Sequence, residues 1–208
     1  RVPRAPVSPK PLRNTVAALV LGALLGAAAA FARDHLDDSI KDKEELARVT
    51  RLPVLGVVPV VREWEGSVSL PAWFRENVHA PATEAYRSLR TSVQLLGIDR
   101  PVRSLQITSP LAGEGKTSTL ANLALAMAAS GQRVIVVDCD LRRPRLHEVF
   151  GVSPTGGMTG VLAGYARVED VVRPVPGWET LHVLPSGSVP ANPSELLAAR
   201  RTAQVIHD

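Results

Sequence analysis

The spacing of apolar and polar positions divides the chain into three regimes. From Thr15 to Ala32 the sequence TVAALVLGALLGAAAAFA runs eighteen residues without a charge. At a helical rise of about 1.5 Å per residue, that length matches a bilayer core about 30 Å thick. Ala18, Gly22, Gly26 and Ala30 recur every fourth residue, a stripe of small side chains on which a second helix could pack closely. Residues 33–80 are mixed. DDSIKDKEE (Asp37 to Glu45) predicts a charged helix leaving the membrane, and LPVLGVVPVV (Leu52 to Val61) a short strand bounded by prolines. Glu63 to Pro81 scatters Trp64, Gly66, Pro71, Trp73 and Phe74 without a period, which predicts a linker.

From residue 81 to 208 helical and strand periods alternate. Tyr86, Leu89, Val93 and Leu96 recur at three- and four-residue steps and predict a helix from Thr83. A strand from Arg103 to Thr108, a glycine-containing turn and a helix from Lys116 to about Ser130 follow, with Gly131 as the stop. VIVVDCD (Val134 to Asp140) is a continuous apolar run, as expected of a parallel strand covered on both faces. LHVLPSG (Leu181 to Gly187) predicts another strand, and Asn192-Pro193-Ser194-Glu195 a capped helix start. The expected fold class is α/β, a parallel sheet flanked by helices and preceded by one transmembrane helix.

Composition changes this picture little. The formal charge of +4 is spread over 24 basic and 20 acidic residues, an ordinary mixed surface rather than a nucleic-acid footprint. The single cysteine, Cys139, lies within the expected buried strand and has no partner for a disulfide, which fits a reducing compartment. A chain opening on Arg1 reads as a fragment or a processed piece. Arg1 to Arg13 with Ala30-Phe31-Ala32 is also the pattern of a secretory signal with its cleavage site. That alternative would export everything after Ala32 to a place without ATP. Basic residues flank the span almost equally, so orientation is not set by charge. The candidate chemistry sets it: 33–80 becomes a cytoplasmic linker with a short strand, and 1–14 an extracytoplasmic segment.

That chemistry lies in SPLAGEGKTST, Ser109 to Thr119. Strand, glycine-rich turn and helix occur in the order that phosphate binding needs. Backbone N–H groups around Gly113 and Gly115 can approach an anion, and the helix N-terminus faces it. Gly113, Glu114, Gly115, Lys116, Thr117 and Ser118 form the candidate cradle, with Lys116 on the terminal phosphates and the Thr117 hydroxyl on Mg²⁺. Pro110 stands where the phosphate-loop pattern has its first glycine. Asp138 and Asp140 end the next strand, where open α/β sheets place their ligands. Carboxylates there can bind Mg²⁺ or take a proton from an attacking hydroxyl.

GEGKT followed by VIVVDCDLRRP resembles the Walker A and A′ motifs of the bacterial tyrosine kinases that accompany capsule and exopolysaccharide export. EAYRSLR (Glu84 to Arg90) resembles that family's ExxRxxR self-association motif, and GMTGVLAG and LHVLPSGSVPANPSELL resemble segments downstream. PVSPKPLRN and LDDSIKDKEEL, on either side of the span, resemble the second membrane segment of polysaccharide chain-length regulators. The family tolerates loss of the first glycine, although Ala112 stands where it usually has proline. Leu111 occupies the signature-lysine position of partition ATPases, which argues against a chromosome- or septum-positioning role. The family's Walker B strand and tyrosine-rich tail are not in the chain, whose tyrosines are Tyr86 and Tyr165.

The resemblance implies a membrane-anchored tyrosine autokinase using ATP and Mg²⁺ and regulating polysaccharide chain length and export. Lys116, Asp138 and Asp140 would be catalytic, with Thr117 and Asp138 on the metal. Self-association would run through Glu84, Arg87, Arg90 and the span, with charges pairing across subunits rather than within the helix. Other implied partners are the polysaccharide polymerase and export machinery and a tyrosine phosphatase, with no nucleic acid. The alternative is a chain-length regulator that uses ATP binding as a conformational scaffold.

Overall fold

A computed structural model describes residues 10–36, 40, 42–61, 70–99 and 101–207. The opening segment, most of the charged stretch at 37–41 and the region around Trp64 lie outside the described residues. The chain divides into two units, residues 1–54 and 55–208.

The first unit holds two helices. α1 spans Pro11–His35, 25 residues, with proline in its first turn and Arg33 and His35 in its last. Its side chains are exposed all round, and it is long and apolar enough to cross a membrane. It outruns the uncharged segment because Pro11 starts a helix well and the flanking residues continue it. α2 spans Lys43–Thr50 and is capped by Asp42, whose carboxylate accepts the Glu45 N–H at 2.7 Å. The charged helix thus begins at the last residues of DDSIKDKEE.

The second unit is an α/β body built round one buried helix. α3 (Leu70–Glu76) and α4 (Pro81–Leu96) lead to α5 (Lys116–Ala128). Strand β1 (Val134–Val137) follows, then α6 (Leu146–Phe150), α7 (Gly157–Ala163) and α8 (Val168–Val171). Strands β2 (Arg173–Val175) and β3 (Trp178–Leu184) precede α9 (Pro193–Ala198) and α10 (Arg200–His207). The strand order is β1-β3-β2. β1 and β3 are parallel, in register from Val134 opposite Leu181 to Val137 opposite Leu184. β2 is antiparallel to β3 across a hairpin, with an irregularity between Pro174 and Val175. The sheet is therefore mixed, and Pro174 stands in its edge strand, where a missing N–H is tolerated.

α5 is apolar on nearly every side, the mark of a core helix. Ala121, Leu123, Leu125 and Ala126 are buried between α4 and the sheet. Phe74 of α3 closes that core, meeting Trp178 edge-on at 6.0 Å between ring centres. A second apolar cluster joins Leu141, Met158, Val161, Leu162, Val171 and Leu184.

Four sequence expectations change. Leu52 to Val61 forms no strand pairing among the described residues: Pro53 and Pro59 cannot donate to a ladder, and Val58 packs on the core instead. Arg103 to Thr108 likewise has no ladder partner among the described residues, with Ile107 on the core. The segment read as linker contains α3, whose Leu70 and Phe74 are buried. β1 is shorter than the apolar run and covered unevenly: Ile135 is 60 % exposed, while Val136 is buried and Val137 packs against the second cluster. Cys139 accordingly lies beyond the strand and is exposed.

Candidate nucleotide site

The ladder between β1 and β3 carries one step past the strand end, where the Asp138 N–H donates to Leu184 O at 2.9 Å. This brings Asp138 to the C-terminal edge of the parallel pair, the position open α/β sheets use for ligands. Its carboxylate is buried and held at both oxygens. Oδ1 accepts the Asp140 N–H at 3.1 Å and Oδ2 the Leu146 N–H at 3.2 Å. Burial pushes the Asp138 carboxyl above its ordinary value, the two N–H donors pull it back, and the neighbouring Asp140 charge raises it again.

The loop ahead of α5 is shaped by its own side chains. Ser109 Oγ donates to Leu111 O at 2.8 Å, and the Leu111 N–H donates to Glu114 Oε2 at 3.2 Å. Gly113 and Gly115 have φ of 85° and 80°, and a methyl group at either would meet nothing within 4 Å. The glycines here serve backbone direction and leave open space over the loop, as an anion cradle requires. α5 starts at Lys116 with Gly115 as its N-cap, so Thr117 and Ser118 occupy the first turn. Lys116 Nζ lies 3.6 Å from Asp140 Oδ2, which joins the loop to the end of β1. Asp140 Oδ1 also accepts the Arg143 N–H at 3.1 Å. Lys116, Asp140 and Asp138 thus come together, with the cradle residues 113–118 beside Lys116.

Glu84, Arg87 and Arg90 lie on α4 but part company. Arg87 pairs with Glu84 within the helix, whereas Arg90 Nη1 reaches across to Ala126 O on α5 at 3.0 Å. Three further hydrogen bonds were not singled out by the sequence. Tyr86, buried on α4, bonds through its hydroxyl to Thr119 in the first turns of α5. Asn122 Nδ2 donates to Ser118 O at 2.8 Å, and Arg142 Nη2 donates to Ser194 Oγ at 3.0 Å. The resemblance of EAYRSLR pointed near the first, the second is a local contact one turn apart within α5, and the third depends on tertiary placement.

The residues present fit a nucleotide with Mg²⁺. No group of three or more His, Cys, Asp or Glu side chains converges among the described residues. Mg²⁺ is ordinarily held by one or two carboxylates together with substrate phosphates and water, and the buried Asp138 with Asp140 beside it offers such carboxylates at the strand end.

Residues 105–184 match the family described as the CobQ/CobB/MinD/ParA nucleotide binding domain. Over 219 residues the chain is 31% identical to tyrosine-protein kinase Etk of Escherichia coli K12, covering 97% of this chain and 30% of Etk. The solved kinase domain of E. coli Etk aligns with a TM-score of 0.73 at 30% identity, over 81% of this chain and 69% of that one. The BceF tyrosine kinase domain aligns with a TM-score of 0.68 at 32% identity, over 80% and 70%. The chain spans 28% of the length of EpsB of Ralstonia solanacearum, a curated relative that it matches over 99% of its own length. This ordered set of motifs, on a shared fold, at this identity, places the chain in the bacterial tyrosine-protein kinase family.

Proposed function

We propose that the protein carrying this chain is a membrane-anchored tyrosine autokinase, with α1 as its span, residues 1–14 outside and the nucleotide site in the cytoplasm. The observation that carries the reading is the Lys116–Asp140 bridge between the loop at the head of α5 and the end of β1, with Asp138 buried beside it. Transfer of a γ-phosphoryl group asks the protein mainly for positioning and charge neutralisation. Backbone N–H groups from Gly113 to Ser118 orient the phosphates. Lys116 leaves Asp140 for the γ-phosphate, freeing that carboxylate to assist. Thr117 and Asp138 would hold Mg²⁺, which would supply neutralisation of the phosphate charge. The tyrosine hydroxyl gives its proton to Asp138 at the strand end, with Asp140 assisting. Self-association uses Glu84 and Arg87 on α4, while Arg90 acts from within by fixing α4 to α5. Control of polysaccharide chain length and export is the cellular role that the motif pattern supports.

The test separates binding from transfer. Asp138→Asn in the full-length protein is expected to keep ATP binding within a few-fold and to lose at least about 10²-fold in phosphotyrosine formation, the scale of losing one positioned electrostatic contributor. Undiminished transfer would remove Asp138 from the reaction. Normal-length polymer from cells carrying this variant would favour the conformational scaffold instead.

A further inference from the structure

The chain has two tyrosines, and the fold treats them in opposite ways. Tyr86 is 2 % exposed, with its hydroxyl bonded to Thr119. Tyr165 is 90 % exposed and stands in the turn that leaves α7. That turn is closed on its own backbone: the Tyr165 and Ala166 N–H groups both donate to Gly160 O, at 2.9 and 3.3 Å. The other end of α7 is tied to the segment after β3, through Met158 N–H to Pro185 O at 2.7 Å and Thr159 N–H to Ser186 O at 2.8 Å. Met158, Val161 and Leu162 share a cluster with Leu141, the residue after Asp140. Tyr165 therefore rides on a helix fixed to the same edge of the sheet as the nucleotide site, while its ring buries almost nothing. A cation lies close by, since a methyl group at Gly164 would sit 3.2 Å from Arg201 Nη1.

We propose that Tyr165 is a phosphoacceptor, modified by a second copy of this chain, and that Arg201 receives the resulting phosphate. The inference rests on the kinase reading above. Tyr165 Oη attacks the γ-phosphorus of ATP on the other copy. The Oη–P bond forms as the bond from that phosphorus to the β,γ-bridging oxygen breaks, and the electron pair leaves with ADP. The hydroxyl proton passes to Asp138 of the copy that holds the ATP. The product carries about −1.5 to −2 charge at neutral pH, which a guanidinium meets with charge-assisted hydrogen bonds. A neighbour is the donor because the turn cannot swing inward without breaking its two bonds to Gly160, whereas the exposed ring is presented outward.

The experiment incubates full-length protein with Mg²⁺-ATP and maps phosphotyrosine by mass spectrometry of tryptic peptides. Residues 146–167 form one such peptide, with Tyr165 as its only tyrosine. Wild type should carry phosphate there and none on Tyr86. In a mixture of Lys116→Met protein with active Tyr165→Phe protein, the label should appear on Tyr165 of the Lys116→Met copy. Phosphotyrosine elsewhere but none on Tyr165 overturns this inference and leaves the kinase reading standing. No phosphotyrosine at all overturns both. Label on wild type but never on the Lys116→Met copy overturns transfer between copies. Arg201→Gln should let an added tyrosine phosphatase clear Tyr165 several-fold faster, and an unchanged rate would overturn the role given to Arg201.

Discussion

An alanine at position 157 makes two separate demands on the fold. Gly157 has φ of 61°, and an L side chain in that left-handed region costs roughly 1–2 kcal/mol. The added β-carbon would also collide with Gly187 N and Pro185 O, main-chain atoms that cannot turn aside. Relief requires residues 185–187 to retreat from α7. That breaks Met158 N–H to Pro185 O and Thr159 N–H to Ser186 O, at 2.7 and 2.8 Å, each contributing about 0.5–1.5 kcal/mol. The whole loss is roughly 2–5 kcal/mol on those two principles. Gly131 isolates the first demand, because its φ is 84° and a methyl group there would meet nothing within 4 Å. Gly131→Ala should therefore lose only the backbone component, about 1–2 kcal/mol. Denaturant unfolding of the two variants in detergent, followed by tryptophan fluorescence, compares them directly. Gly157→Ala should unfold earlier, by about 1–3 kcal/mol of extra loss at an unchanged denaturant slope. Equal midpoints would refute the argument that α7 is locked to the end of β3 by close backbone approach.

Three other outcomes follow from named contacts. Tyr86→Phe removes one hydroxyl from the α4–α5 contact and should cost about 0.5–1.5 kcal/mol in thermal unfolding near pH 7. Because burial raises the Tyr86 hydroxyl above its ordinary value, wild type holds that advantage below about pH 10 and loses it as the pH climbs further, so the two unfolding curves should converge in alkali. Replacing Glu84 and Arg87 together by alanine should shift the mass in light scattering toward monomer with the unfolding midpoint little changed. Arg90→Ala should instead lower that midpoint, since it strips Ala126 O of its bond; the reverse pattern would assign the two roles wrongly.

The sequence made α5 and its loop legible because the chemistry is local: GEGKT sets the turn, and the alanine-rich run after it has no polar face to expose. α4 was legible from Tyr86, Leu89 and Val93, and Pro81 at its start is the residue that best fits a first turn. α3 was not, because seven residues give under two turns of periodicity and Pro71 read as a breaker although it opens the helix. The apolar runs at Leu52–Val61 and Arg103–Thr108 carry strand composition, but a strand exists only by pairing, and composition does not name the partner. The site divides in the same way. Lys116, Asp138 and Asp140 stood out by spacing, whereas the clasp of Tyr86 on Thr119 and the locking of Gly157 against Gly187 belong to tertiary approach. Arg90 shows the limit of helical spacing: three residues from Arg87, it turns inward to Ala126 while Arg87 stays with Glu84.

Lys116, poised 3.6 Å from Asp140 at the head of α5, is the residue proposed to serve phosphoryl transfer to tyrosine. The measurement that meets this role most directly is incorporation of label from γ-³²P-ATP into phosphotyrosine by the purified full-length protein, wild type against Lys116→Met. Wild type should show Mg²⁺-dependent labelling and the variant a loss of at least about 10²-fold, the scale of losing one positioned electrostatic contributor. Labelling of Lys116→Met at the wild-type rate would contradict that role.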